Sequence, residues 1–240
     1  MSSALDQTKP LVLASASPRR RELLALLGAP FDSREAAIDE AAAAEPARAK
    51  ALAVRARAAT IVAADTRIRS EGDELGKPKD ASEAIAMLLR LSGRTHEVIT
   101  DVAVVDAAGR ETHFSVRSRV RMRTFSRDEV EAYVATGEAL DAAGAYKVQG
   151  LGRALVEAVD GCLANVVGFP LCHVYEALRR AGRAFPQRPE NACQRHFAFV
   201  CPVWRRAQAQ GRALRDGASY PTWSETAATL VRLSGASHPR

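Results

Sequence analysis

Residues 11–28, LVLASASPRRRELLALLG, decide how the rest of the chain is read. Leu11, Val12 and Leu13 form a short apolar run that predicts a buried strand, and residues 14–17 leave it as a small, hydroxyl-bearing turn. Ser17 stands where it can cap the helix that follows, because Pro18 at the first helical position gives up only an amide that has no intrahelical partner. Arg19, Arg20 and Arg21 then occupy the first turn, where the helix dipole repels cations unless something negative offsets it. Leu23, Leu24, Leu26 and Leu27 supply an apolar face, and Gly28 supplies a stop. Backbone amides, the Ser15 and Ser17 hydroxyls and guanidiniums gathered at one strand-to-helix turn are the parts of a phosphate site. The same residues also fit a basic, solvated helix start, so this stretch alone leaves both readings open.

Composition bounds the remainder. With 240 residues, 47% of them hydrophobic, the chain can bury a large core, and with only 5% aromatic residues that core must be packed by Leu, Val and Ala. The 34 Lys and Arg against 28 Asp and Glu give a net charge of +6, which suits polyanionic ligands and equally suits nonspecific contact with nucleic acid. Cys162, Cys172, Cys193 and Cys201 show no dense disulfide framework. The start of the chain has no charged-then-apolar signal, and no long apolar span is present. A reducing cytoplasm, with no membrane partner, is the expectation.

In chain order, residues 31–38 read as a second extended segment that ends in Asp39 and Glu40, and residues 41–59 as one alanine-rich helix carrying Lys50. TIVAA at 60–64 predicts a buried strand that delivers Asp65 and Thr66 at its C-terminal end, where open α/β sheets meet their ligands, and residues 67–70 read as an edge segment before a turn containing Gly72 and Asp73. Lys77 lies in a loop between Gly76 and Pro78, and Asp80 with Glu83 predicts a capping box for a helix through Leu91. Residues 96–105 and 114–122 read as a long hairpin, and Ser126 with Glu129 frames another helix that Gly137 closes. GAYKVQGLG at 144–152 is a glycine-rich loop with neither Walker nor dinucleotide spacing. A strand at 155–159, a small loop at 165–168 and a helix from Pro170 to about residue 180 complete the periodic part.

From Arg183 the composition changes to scattered prolines and arginines with short amphipathic pieces, which reads as an appended tail rather than a second core. Cys193, His196 and Cys201 match no strong zinc spacing. Candidate chemistry therefore falls to the arginines at 19–21, Glu40, Lys50, Asp65, Lys77 and Gln149. Polyphosphate hydrolysis needs a carboxylate to activate water or place a divalent ion, and cations to absorb charge on the phosphoryl group.

Taken together, ASASPRRRELL, VAADT, LGKP, SGRTHEVIT, GAYKVQGLG and NVVGFPL, in this order between residue 11 and about residue 171, resemble the motifs of the Maf family of nucleoside triphosphate pyrophosphatases. The resemblance implies an α/β fold with a mixed twisted sheet flanked by helices, in an elongated two-lobed, ITPase-like architecture with a central cleft. It sets residues 9–182 as the pyrophosphatase domain and leaves residues 183–240 as a C-terminal extension without a role. It further implies a homodimer that cleaves a nucleoside triphosphate between its α- and β-phosphates with Mg2+ or Mn2+. By the same resemblance Asp65 is the essential acid, acting as general base or placing the metal, and Glu40 the second catalytic or metal-associated carboxylate. Ser15, Arg19 and Arg20 match the triphosphate-contacting turn, and Lys50, Lys77 and Gln149 further substrate-contacting positions. The GAYxxQG form resembles the branch acting on dTTP and UTP.

The chain departs from the family pattern between Glu40 and Lys50, where only nine residues, 41–49, separate the two and the family spacing is longer. Two other functions stay open on the residues alone. One is a nucleotide-binding regulator that has lost turnover through this short segment. The other is a nucleic-acid-binding protein, for which the charge speaks but no aromatic stacking platform does, so no specific nucleic acid is expected.

Overall fold

In the computed structural model the opening stretch forms β1 (Leu11–Ala14) and α1 (Pro18–Ala25), and the structure describes residues 10–40, 42–54, 58–213, 218–220 and 230–232. There follow β2 (Asp32–Arg34), α2 (Pro46–Ala53), β3 (Thr60–Ser70), β4 (Asp73–Leu75), α3 (Ala81–Leu91), β5 (Thr95–Val105), β6 (Glu111–Met122) and α4 (Arg127–Ala135). Three short 3-10 turns, Glu138–Asp141, Ala143–Ala145 and Leu151–Leu155, lead to β7 (Val156–Asp160), α5 (Leu163–Val167) and α6 (Leu171–Arg180). The last elements are α7 (Pro189–Phe197), α8 (Trp204–Arg212), β8 (Ala218–Tyr220) and β9 (Leu230–Arg232). The strands make one mixed sheet flanked by helices, in the order β2-β1-β3-β5-β6-β7-β9, with β4 on β3 and β8 on β6. β1 runs parallel to both β2 and β3, whereas β7 is antiparallel to β6 and β9.

The chain divides into two compact units, the first made of Met1–Asp65, Thr100–Val116 and Gly168–Tyr220, the second of Thr66–Ile99, Arg117–Val167 and Pro221–Arg240. In the first, Leu23 and Leu24 of α1 and Leu27 just after it are fully buried, and a cluster of Val12, Ala14, Ala47, Ala51, Ala59, Ile61, Ala63, Ala103 and Val105 fills the space between α2 and the strands. Small side chains on both faces let α2 lie close to β1 and β3. The tail through Tyr220 belongs to this unit, whereas β9 belongs to the second: α7 and α8 pack on α6, whose residues from Leu171 to Leu178 are all buried, and the Gln187 amide donates to the Leu27 carbonyl at 3.1 Å. In the second unit α3 packs against α4, with Leu88, Leu91, Val130 and Val134 buried.

Several elements differ from the sequence expectations. Ser17 holds the N-cap position of α1 but its hydroxyl makes no capping bond. The second extended segment shrinks to β2, and the helix expected over 41–59 is α2 alone, because Pro46 fits only a first helical turn; Ala41 and residues 55–57 lie outside the described residues. β3 does not stop at Ala64. Its fully buried run passes into alternation, with Ile68 and Ser70 buried and Arg69 exposed, and pairs with β4, so Asp65 stands mid-strand. At α3 the Asp80 carboxylate caps the Glu83 amide, but Glu83 accepts from the Lys79 amide instead of completing the box. The box at Ser126 and Glu129 is complete. The loop expected at 165–168 is mostly α5, since the Asn165 amide is spent outside its own turn, on the Val98 carbonyl and the Ser118 hydroxyl, each at 3.1 Å.

Candidate active site

The first unit brings Ser15, Arg19, Arg20, Glu40, Lys50 and Asp65 within one electrostatic neighbourhood. α2 carries Lys50 between the buried Ala47 and Ala51, so the helix face that seals against β1 and β3 also takes the lysine inward. Its side chain is only 7% exposed, and Nζ lies 2.8 Å from Asp65 Oδ1 and 3.0 Å from Glu40 Oε1. Asp65 is 18% exposed and Glu40 60%, so the cation ties a nearly sequestered carboxylate to an accessible one. The nine residues between Glu40 and Lys50 are therefore enough to close this contact.

At the turn before α1 the buried Ser15 hydroxyl accepts from the Ser17 amide at 3.2 Å and from Arg20 Nη1 at 3.3 Å. The Ser15 carbonyl accepts from the Ser33 hydroxyl of β2 at 2.9 Å, which fixes the turn against the neighbouring strand. Arg20 Nε donates to the Gly168 carbonyl at 3.1 Å. Burial lowers the Arg20 guanidinium to about 10, the Asp65 and Glu40 carboxylates pull it back up, and the Arg19 charge pushes it further down. Arg20 thus stays cationic at neutral pH, half-buried, oriented by protein oxygens and under the field of both carboxylates. Such a guanidinium is pre-organised for phosphate oxygens.

Lys77 and Gln149 belong to the second unit. Lys77 is exposed and its Nζ lies 2.7 Å from Asp141 Oδ1, so the expected substrate lysine has a protein anion for a partner. Gln149 is exposed in a turn closed by the Gly150 amide donating to the Lys147 carbonyl at 3.1 Å. The Tyr146 ring beside this turn is buried and its hydroxyl shares a 2.8 Å hydrogen bond with His96 Nε2. Sequence reasoning missed two participants. Gly168 was visible only as part of NVVGFPL, although its φ of +111° is a glycine signal. Glu138 follows a helix-ending glycine and looks, from sequence, like a solvated surface acid.

Among the described residues no group of three or more His, Cys, Asp and Glu side chains could hold a metal ion, and no helix is long and apolar enough to cross a membrane. A magnesium site does not need three protein carboxylates, because Mg2+ commonly takes one or two together with substrate phosphate and water. Glu40 and Asp65 each give one oxygen to Lys50 and have a second, so their donor chemistry fits such an ion.

The arrangement, two carboxylates linked by a buried ammonium in the same unit as a serine and arginine turn, is suited to polyphosphate chemistry. A dTTP/UTP pyrophosphatase of Myxococcus xanthus (strain DK1622) is 51% identical over 195 residues, 76% of this chain and 97% of that protein. Proteins of the same name from Anaeromyxobacter sp. (strain Fw109-5) and Moorella thermoacetica are 49% and 50% identical, over 91% and 93% of their lengths and 73% and 70% of this chain. The family model described as "Maf-like protein" matches residues 10–181, and the chain belongs to the Maf family.

Proposed function

We propose that the chain hydrolyses dTTP and UTP between the α- and β-phosphates, giving the nucleoside monophosphate and pyrophosphate. The observation that carries this reading is the Lys50 ammonium held between Asp65 and Glu40 in the unit that also presents Ser15 and Arg20, in a chain about half identical to proteins named for this activity.

Arg20, braced by Gly168 and Ser15, binds phosphate oxygens as a fixed fork, and Arg19 adds charge beside it. Asp65 orients the attacking water and takes its proton, while Lys50, 2.8 Å from its Oδ1, keeps that carboxylate aimed. Glu40, the more exposed of the pair, would hold Mg2+ or Mn2+ together with Asp65. A divalent ion bound there supplies Lewis-acid polarisation of phosphoryl oxygens. By the family resemblance Lys77 and Gln149 are further substrate-contacting residues, Gln149 with a donor and an acceptor suited to a pyrimidine edge. The same family reading carries a homodimer in the cytoplasm. Burial of all four cysteines suits a reducing compartment, and light scattering tests the dimer.

The deciding experiment incubates purified protein and a divalent ion with dTTP and UTP and separates the products by ion exchange. Monophosphate with pyrophosphate is expected. Diphosphate with orthophosphate overturns the bond assignment, and absence of turnover across nucleotides and metals favours the regulator. Asp65→Asn is expected to lower turnover by roughly 10²-fold or more while triphosphate binding persists.

A further inference from the structure

Gln149 sits at the tip of a turn whose two stems are held by one acid. The Glu138 carboxylate accepts the Leu151 amide on Oε2 at 3.1 Å and the Gly152 amide on Oε1 at 2.9 Å, immediately after the turn. Oε1 also accepts the Tyr133 hydroxyl at 3.0 Å, and that hydroxyl in turn accepts the Lys147 amide, at the start of the turn, at 3.2 Å. One carboxylate and one buried phenol therefore clamp residues 147 and 151–152, with Val148, Gln149 and Gly150 between them. The glycines follow from this closeness. A Cβ on Gly150 would collide with the Glu138 carboxylate, and one on Gly152 would lie 2.7 Å from the Tyr133 oxygen and 2.8 Å from the Lys147 nitrogen. The Gly-Leu-Gly of the motif is thus shaped by an acid outside the motif, at residue 138. Burial and the Glu138 charge both keep the Tyr133 phenol protonated, hence able to donate.

We infer that Glu138 is a positioning residue for nucleobase specificity: with Tyr133 it fixes the turn that aims Gln149, and it acts on substrate only through that turn. The inference rests on the reading of Gln149 as the pyrimidine-recognising group. A charged acceptor with three hydrogen bonds is strong in a half-buried setting, and an amide in its place turns an N–H donor toward backbone donors. A side-chain amide aimed by a rigid turn discriminates bases. The same amide on a loosened turn samples many orientations and discriminates poorly.

The experiment measures kcat and KM for dTTP, UTP, GTP and ATP on wild type, Glu138→Gln, Tyr133→Phe, Gln149→Ala and the double variant Glu138→Gln/Gln149→Ala. Glu138→Gln is expected to lower the preference for dTTP over GTP by about tenfold or more, mostly through KM for the pyrimidines, and Glu138→Asp to restore part of it. In the Gln149→Ala background Glu138→Gln is expected to have no further effect on the preference. A uniform fall in rate for all four bases with the preference intact, or additive losses in the double variant, overturns the inference. Should Glu138→Gln fail to fold, Tyr133→Phe keeps the ring packed, removes the phenol's bonds to Glu138 and to the Lys147 stem while leaving the Glu138 bonds to Leu151 and Gly152, and carries the same test in reduced size. A wild type with no base preference is a different failure: it removes the recognition role of Gln149 itself, and the positioning role with it.

Discussion

The Lys50 ammonium lies 2.8 Å from the Asp65 carboxylate, and both side chains are largely shielded from water. Because the third member, Glu40, is 60% exposed, the trio grades from a dry interior to an accessible mouth. The ammonium thereby holds the two carboxylates at one point and offsets negative charge beside a polyanionic substrate.

Replacing the lysine tests this dependence. Lys50→Met retains the aliphatic stem against Ala47 and Ala51 but leaves Asp65 facing Glu40 with no cation between them. Activity is expected to fall by about 10²-fold, and stability by roughly 1–3 kcal/mol, the scale for a lost hydrogen bond to a charged group. Lys50→Arg keeps the charge but presents a planar fork where a point donor meets two carboxylates from different directions, so it is expected to restore stability more than rate. Steady-state kinetics with urea unfolding on the two variants checks this. Equal rescue of both properties by arginine removes the geometric argument.

Arg20 is held in one orientation by two protein oxygens. Its Nε is tied to the Gly168 carbonyl and its Nη1 to the Ser15 hydroxyl, so the guanidinium is aimed before a ligand arrives. Lysine keeps a positive charge but cannot make both bonds while reaching a phosphate. Arg20→Lys is therefore expected to raise KM for dTTP about tenfold, since one unpaired polar contact costs about 1–3 kcal/mol. Ser15→Ala is expected to produce a smaller rise of the same kind. Isothermal titration with a nonhydrolysable triphosphate separates this loss from any change in kcat.

Much of this was legible from residue types. The apolar run at 11–13, Pro18 at a first helical position and the Ser126 and Glu129 box each specify local structure through short-range rules, and each is realised. Asp65 was recognised as chemical, but its setting was not, because a strand that passes from burial on both faces to alternation has no stop signal at the change. The helix α5 was missed for a related reason. Asn165 carries a turn-forming side chain, and only the distant Val98 and Ser118 decide that its amide is used elsewhere. Glu138 was invisible because its importance lies in backbone amides 13 and 14 residues away, which no local spacing encodes.

Gly168 joins backbone conformation to the phosphate turn. Its φ of +111° lies where an L side chain is strained, and its carbonyl is the acceptor for Arg20 Nε. Gly168→Ala is expected to cost about 1–3 kcal/mol, lowering Tm by roughly 2–4 °C per kcal/mol in a chain of this size. Any relaxation that relieves the strain rotates the carbonyl away from Arg20, so KM for dTTP is expected to rise as well. A melting scan paired with kinetics distinguishes this from pure destabilisation, in which KM stays constant below Tm.

Two buried imidazoles give the fold a distinct acid response. Burial lowers His96 in the second unit and His173 in the first to about 4, so both are neutral in the native protein at pH 7. Unfolding returns each to an ordinary value near about 6.5. Between these limits the unfolded chain binds more protons than the folded one, and stability must fall as pH drops from about 6.5 towards 4, by at most about 1.4 kcal/mol per pH unit for each histidine. Above about pH 7 neither histidine contributes a slope. Asp106 acts in a different window: burial raises its carboxyl, but hydrogen bonds from Arg110 and Ala108 outweigh this and hold it below 3.8, so its loss comes at lower pH. His96→Gln removes one titrating group while leaving a polar partner for the Tyr146 hydroxyl, and is expected to flatten the fall between pH 6.5 and 4 by the share of one proton. Urea unfolding across that range decides the point: a slope unchanged by His96→Gln means that His96 does not become protonated on unfolding, and the neutral, buried imidazole assigned to it is wrong.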